Sequence, residues 1–189
     1  MNQIRLVGVG SPDVDVLEFL SLTLGESLPQ PCLVDGIRFQ VSEAFEVSRG
    51  QYHSTRIVSD LLNYAGGYPH AKVLGITEVD LFIPILTFVF GEAQLGGQVA
   101  LVSTHRLRQE FYGLPEDRAI FLERVEKEAL HELGHTFGLV HCHQPGCVMG
   151  FSNAVENVDV KTNAYCANCR VAARLEETAS EFVRSPGSI

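Results

Sequence analysis

Residues 131–150 read HELGHTFGLVHCHQPGCVMG and hold four histidines, two cysteines, a glutamate and a methionine. So many soft ligands in so short a stretch constrain the fold more than any hydrophobic pattern, because the backbone must bend to gather them around metal. His131 and His135 stand four residues apart, so on a helix they share one face, and Glu132 between them can reach an ion's water without ligating the ion. A straight helix cannot return a histidine to that ion six residues after His135. Gly138 can take φ > 0 and turn the chain so that His141 comes back. Three neutral imidazoles leave the fourth position of a tetrahedral zinc open, which is the catalytic arrangement. The competing readings are a closed structural site and a helix whose histidines are unconnected. His143 also lies just past the turn; spacing favours His141 as third ligand and leaves His143 on the rim.

Four cysteines, Cys142 and Cys147 of this stretch with Cys166 and Cys169, form C-x4-C and C-x2-C pairs suited to four thiolates around a closed structural zinc. Cys142 directly follows His141, so adjacent side chains can diverge toward two ions, giving two zinc ions per chain. Two disulfides or four free thiols are the alternatives, and a reducing compartment disfavours the first. Cys32 stands alone in an apolar stretch and reads as a core residue. Met149 reads as an ordinary core methionine or, by the resemblance given below, as an apolar floor beneath the histidines; both readings predict burial.

The chain has 189 residues, 46% of them hydrophobic, enough for one domain or two tightly joined halves. A net charge of −9 disfavours nonspecific binding to nucleic acid or anionic lipid. Residues 151–189 carry four basic and five acidic side chains, so the second cysteine pair has no electrostatic footprint for nucleic acid. The apolar run at the N-terminus is short, is broken by glycines and continues into Pro12 and two aspartates, unlike a signal peptide. LFIPILTFVFG, residues 81–91, is too short to span a bilayer and contains Pro84. A soluble, cytoplasmic protein with no membrane partner is expected.

Residues 4–10 read as a strand, and Pro12 opens a helix running through Leu24. The GVGSPD turn between them suggests a dinucleotide fingerprint, but Asp13 occupies the place of its third glycine, leaving an ordinary strand-to-helix turn. PCLVD, AKVLGIT, TFVFG and QVALVST read as further strands, and a helix capped by Ser54 runs until Gly66-Gly67. This alternation predicts an α/β or α+β arrangement with a mixed sheet. Pro115, Glu116 and Asp117 start another helix, on which Leu122, Val125, Ala129 and Leu133 form an apolar row. By helical geometry His131 and His135 lie about 145° around from that row, away from the sheet.

The full pattern, HExxHxxGxxH followed at once by a cysteine, then C-x4-C-x-M and a later C-x2-C, resembles the archaemetzincins. It is carried here by His131, Glu132, His135, Gly138, His141, Cys142, Cys147, Met149, Cys166 and Cys169. The resemblance implies a metzincin-like fold. Its upper half, residues 1–141, would hold a twisted mixed β-sheet with long helices. A small lower half, residues 142–189, would be built on the four-cysteine zinc with a C-terminal helix. It further implies a zinc metallopeptidase acting on peptide or protein substrates, with Glu132 as general base and acid. A zinc-containing peptide-binding protein without proteolysis is the rival. By order along the chain, residues 98–104 are expected to form the antiparallel edge strand that rims the cleft, after Gly96 and Gly97, and Phe151 is expected to wall a substrate pocket.

Overall fold

A computed structural model describes residues 3–175, so the end of the expected lower half lies outside the described residues. Its central sheet has the order β2-β1-β5-β8-β7. Here β1 spans Gln3–Val9, β2 Cys32–Phe39, β5 Ala71–Thr77, β7 Gly91–Ala93 and β8 Val99–Ser103. The first four strands in that order run parallel, and β7 pairs antiparallel with β8. A small second sheet joins β3 (Phe45–Glu46), β4 (Gln51–His53) and β6 (Leu81–Phe82) in the order β3-β4-β6.

The inner strands are apolar on both faces because both faces are covered, and alternate residues point to opposite sides of the sheet. Ile4, Leu6, Leu74, Ile76, Ala100 and Val102 pack under α1 (Val14–Ser27) and α3 (Arg118–Thr136). Val7, Val9, Val73, Val99 and Leu101 pack under α2 (Ser54–Ala65). Asp13 caps α1, its carboxylate accepting from the Asp15 N–H, and Asp117 caps α3 by accepting from Ala119 and Ile120.

Three sequence expectations need correction. Ser54 is the first helical residue of α2 and His53 holds the capping position; the Ser54 hydroxyl instead donates to Phe82 O at 3.1 Å and to the Glu92 carboxylate. TFVFG, residues 87–91, forms no strand of its own: it supplies a single bridge of Val89 to Leu81 and, in Gly91, the first residue of β7. The edge strand is β7, not residues 98–104: β8 is hydrogen-bonded on both sides and buried at every position. Order along the chain misled because the hairpin β7–β8 puts its later strand inside the sheet.

The far face of α3 is buried as well, by α4 (Val155–Asp159) and the chain after it. Arg124 grips Asp159 through two bonds of 2.6 and 2.7 Å, Lys161 pairs with Glu128 at 3.2 Å, and Tyr165 donates to Leu130 O at 2.6 Å. A last helix, α5 (Ala167–Ala172), carries Cys169. One apolar core joins residues on both sides of position 141, from Leu130 and Leu133 to Val148, Met149 and Val158. Among the described residues no helix is long and apolar enough to cross a membrane.

Candidate metal centres

α3 ends where it does because Gly138 takes φ 90°, in the left-handed region. The Gly138 N–H donates to His135 O at 2.9 Å and the Leu139 N–H to Gly134 O at 3.0 Å, which is the Schellman closure of a helix. The reversal carries Leu139 O back onto His135, whose Nδ1 lies 2.8 Å away, and brings His141 over the helix end. His131 meets Val148 O through its own Nδ1 at 2.8 Å. His131, His135 and His141 thereby present ligand atoms that all lie within 4.8 Å of one another. His143 is exposed and outside this group.

The donor set fits a cation. A carbonyl can only accept, so both Nδ1 atoms carry protons and both Nε2 atoms present bare lone pairs. Those two Nε2 atoms are 3.2 Å apart, an arrangement that repels unless a positive ion stands between them. Burial pushes His131 well below the usual imidazole range, and His135 and His141 below it too, with Lys161 contributing to each. The rings therefore stay neutral, the state a metal needs.

Glu132 is 6% exposed and packs directly beneath the edge strand. A methyl group at Gly91 would stand 2.6 Å from Glu132 Cγ and 2.6 Å from Leu101 O, so only glycine lets the strand and the carboxyl share that space. Burial pushes the Glu132 carboxyl well above its ordinary range, the nearby Glu128 and Glu92 carboxylates push the same way, and Lys161 opposes them. On the other side, a methyl at Gly134 would overlap Met149 Sδ and stand 3.0 Å from Tyr165 Cε1. Met149, fully buried, thus packs against the helix between the two histidines that it carries.

In front of the histidines opens a cleft of 470 Å³. Leu86, Phe88, Leu95, Val140 and Phe151 give it an apolar lining, with β7 along its upper side. The Phe151 ring lies 5.1 Å from that of His141.

Cys142, Cys147, Cys166 and Cys169 bring their Sγ atoms within 4.8 Å of one another. The distances Cys142–Cys166 and Cys147–Cys169 are 3.9 and 3.8 Å, far beyond a disulfide's length of about 2.05 Å. All five cysteines are free, and Cys32 stands apart from the cluster. Hydrogen bonding, chiefly from the Cys169 backbone, lowers the Cys166 thiol to about 7, while burial raises Cys147 and Cys169. Four thiolates at such distances need a cation to coexist, so this set also fits a metal.

Sequence reasoning missed Gly91, Tyr165 and the buried Glu128–Lys161 pair. Glu128 alone left a signal, one helical turn before Glu132.

A mixed α/β fold with three imidazoles gathered by a glycine-broken helix beneath an antiparallel edge strand defines a zinc metallopeptidase. Residues 25–175 match peptidase family M54. The archaemetzincin of Pyrococcus furiosus is 42% identical over 185 residues, 93% of each chain. That of Methanocaldococcus jannaschii is 43% identical over 163 residues, covering 85% of this chain and 87% of the relative. A zinc-dependent peptidase from Methanocorpusculum labreanum, 32% identical, superposes with a TM-score of 0.80 over 90% of this chain and 99% of its own. The archaemetzincin of Archaeoglobus fulgidus, solved in complex with malonate, gives 0.77 at 35% identity, over 90% of this chain and 99% of that one. The chain belongs to peptidase family M54, the archaemetzincins.

Proposed function

We propose that the chain hydrolyses peptide bonds at a zinc ion held by His131, His135 and His141, with Glu132 as general base and then general acid. The observation that carries this reading is the 3.2 Å approach of the His131 and His135 Nε2 atoms, with each Nδ1 held on a backbone carbonyl. Zinc bound there supplies Lewis acidity toward a peptide carbonyl and makes water acidic enough to attack near neutral pH. Glu132 takes the proton that the attacking water loses and returns it to the departing amine as the C–N bond breaks. Its burial favours the protonated carboxyl and a neighbouring cation favours the carboxylate, so the two oppose each other.

The substrate, an extended peptide or protein segment, lies along β7. In the antiparallel ladder Phe90 O accepts from Ser103 N and Gln94 N donates to Val99 O, so the main-chain groups of alternate residues, Gly91 and Ala93, face outward. They form a template for strand addition.

A second, structural zinc sits among Cys142, Cys147, Cys166 and Cys169. It fastens the small C-terminal subdomain, residues 142–189, to the N-terminal subdomain, residues 1–141, which carries the catalytic helix. Free thiols in this number suit the cytoplasm.

The test is digestion of a diverse peptide library by the zinc-loaded wild type and by Glu132→Ala. Cleavage by the wild type, reduced at least about 100-fold in the variant, supports the assignment. Retained binding with no cleavage by either protein would favour a peptide-binding role.

A further inference from the structure

The two ligand clusters share their supports. Val148, fully buried, follows Cys147; its carbonyl accepts from His131 Nδ1 at 2.8 Å and its N–H donates to Ala164 O at 3.0 Å. Tyr165, between Ala164 and Cys166, donates its hydroxyl to Leu130 O at 2.6 Å, at the residue before His131. The Tyr165 ring lies against Gly134, at the residue before His135. Cys142 follows His141, and its N–H donates to Met149 O at 2.9 Å. The Cys166 N–H points at Cys147 Sγ, 3.4 Å away. Three of the four cysteines are therefore chain neighbours of a group that sets an imidazole: Cys142 of His141 itself, Cys147 of the Val148 carbonyl, Cys166 of Tyr165.

We propose that Tyr165 and the Val148 carbonyl are positioning groups through which the four-cysteine cluster sets the metal affinity of the imidazole site. The inference rests on the two-zinc reading above. With the cluster filled, Cys147 and Cys166 are held together, the Val148–Ala164 bond is clamped between them, and the carbonyl stays on the line of the His131 N–H. With the cluster empty, no ion ties Cys147 to Cys166, and both the carbonyl and the phenol lose their fixed aim at α3. A carbonyl bonded to the far nitrogen of a ligating histidine fixes ring orientation and basicity, and losing such a partner weakens metal binding about 10- to 100-fold. The Leu130 carbonyl can only accept, so the Tyr165 hydroxyl is the donor of this bond.

The experiment titrates Co²⁺ into protein whose imidazole site has been cleared by mild chelation, reading the visible absorption of the bound ion against a competing chromophoric chelator. Three chains are compared: wild type, Cys169→Ser and Tyr165→Phe. Cys169 touches no imidazole support through the chain, so its replacement acts only by emptying the cluster. Affinity at the imidazoles should fall about 10- to 100-fold in Cys169→Ser. It should fall on the order of fivefold in Tyr165→Phe, which keeps all seven ligands and loses one hydrogen bond, with the cluster zinc and far-ultraviolet dichroism unchanged. Where Cys169→Ser fails to fold, Tyr165→Phe decides alone. Unchanged cobalt affinity in Tyr165→Phe, or in folded Cys169→Ser with an empty cluster, overturns this inference. A wild type that takes up no cobalt through its imidazoles overturns the two-zinc reading itself.

Discussion

Asp80 shows how single polar side chains fasten the upper side of the cleft. Its carboxylate takes two bonds from Arg106, at 2.6 and 2.7 Å, and one from Gln51 at 2.9 Å. Gln51 and Arg49 in turn donate to Thr87 O, and Arg49 to Leu86 O, tying down the loop that lines the cleft. Burial alone would raise the Asp80 carboxyl, but the bonds from Arg106 and Gln51 outweigh it and hold it below its ordinary value of 3.8. A lowered carboxyl adds stability above the unfolded-state value, and that stability is lost as pH falls through the folded one. Asp80→Asn should therefore cost about 2 kcal/mol near pH 7. The gap between variant and wild type should begin to close as pH falls below about 4 and vanish only below the folded-state value. Denaturant melts at several pH values check this, and a gap that persists into acid would remove the ion pair as its cause. None of these partners was legible in the sequence. His131, His135, Gly138 and His141 were, because their relation is one of helical spacing and a single turn, whereas Asp80 meets Arg106, and Glu128 meets Lys161, only through tertiary packing.

Among the elements, those buried on two faces were the readable ones. AKVLGIT became β5 residue for residue, since a central strand is apolar throughout. β7 was not legible: its three residues, Gly91, Glu92 and Ala93, have the composition of a turn, and their extension is imposed by β8 and by the packing of Glu132 under Gly91. The edge also yields a sharper experiment than the interior could. Proline at Val99 would remove an N–H that faces β7 inside the sheet, but proline at Ala93 removes only an outward N–H and leaves the bonds to β8 intact. Ala93→Pro should raise KM about tenfold, the equivalent of one lost hydrogen bond, while zinc content and the thermal midpoint stay near those of the wild type. Steady-state kinetics with a peptide cleaved by the wild type decides it. An unchanged KM would mean that substrate does not pair with β7.

At the scale of the whole molecule, the chain builds its metal centres on opposite sides of one peptide bond, between His141 and Cys142, and gives them different chemistry. The imidazole site has three neutral ligands, and His141 is exposed at the mouth of the cleft. The cluster has four thiols, of which Cys147 and Cys169 are 3% and 8% exposed. On the two-zinc reading a chelator would reach the first ion through its open side and acid would compete for neutral imidazoles, whereas four anionic ligands closed around the second would leave neither route. Freshly purified protein should hold two zinc ions per chain, lose one under mild chelation with its fold intact, and lose the second only as it unfolds. Cys166→Ser should accordingly lower the melting temperature by many degrees, where Glu132→Ala leaves it nearly unchanged. Val148 and Tyr165 couple the sites reciprocally, so the order of removal reflects how tightly each ion is held: the cluster keeps its zinc despite the factor it loses, and the imidazole site does not. Stripping the imidazole site should leave the cluster untouched, whereas a mercurial that empties the cluster should release both ions. Atomic absorption after each treatment reads the asymmetry directly, and simultaneous loss of both ions under mild chelation would show that the two centres are not distinct in kind.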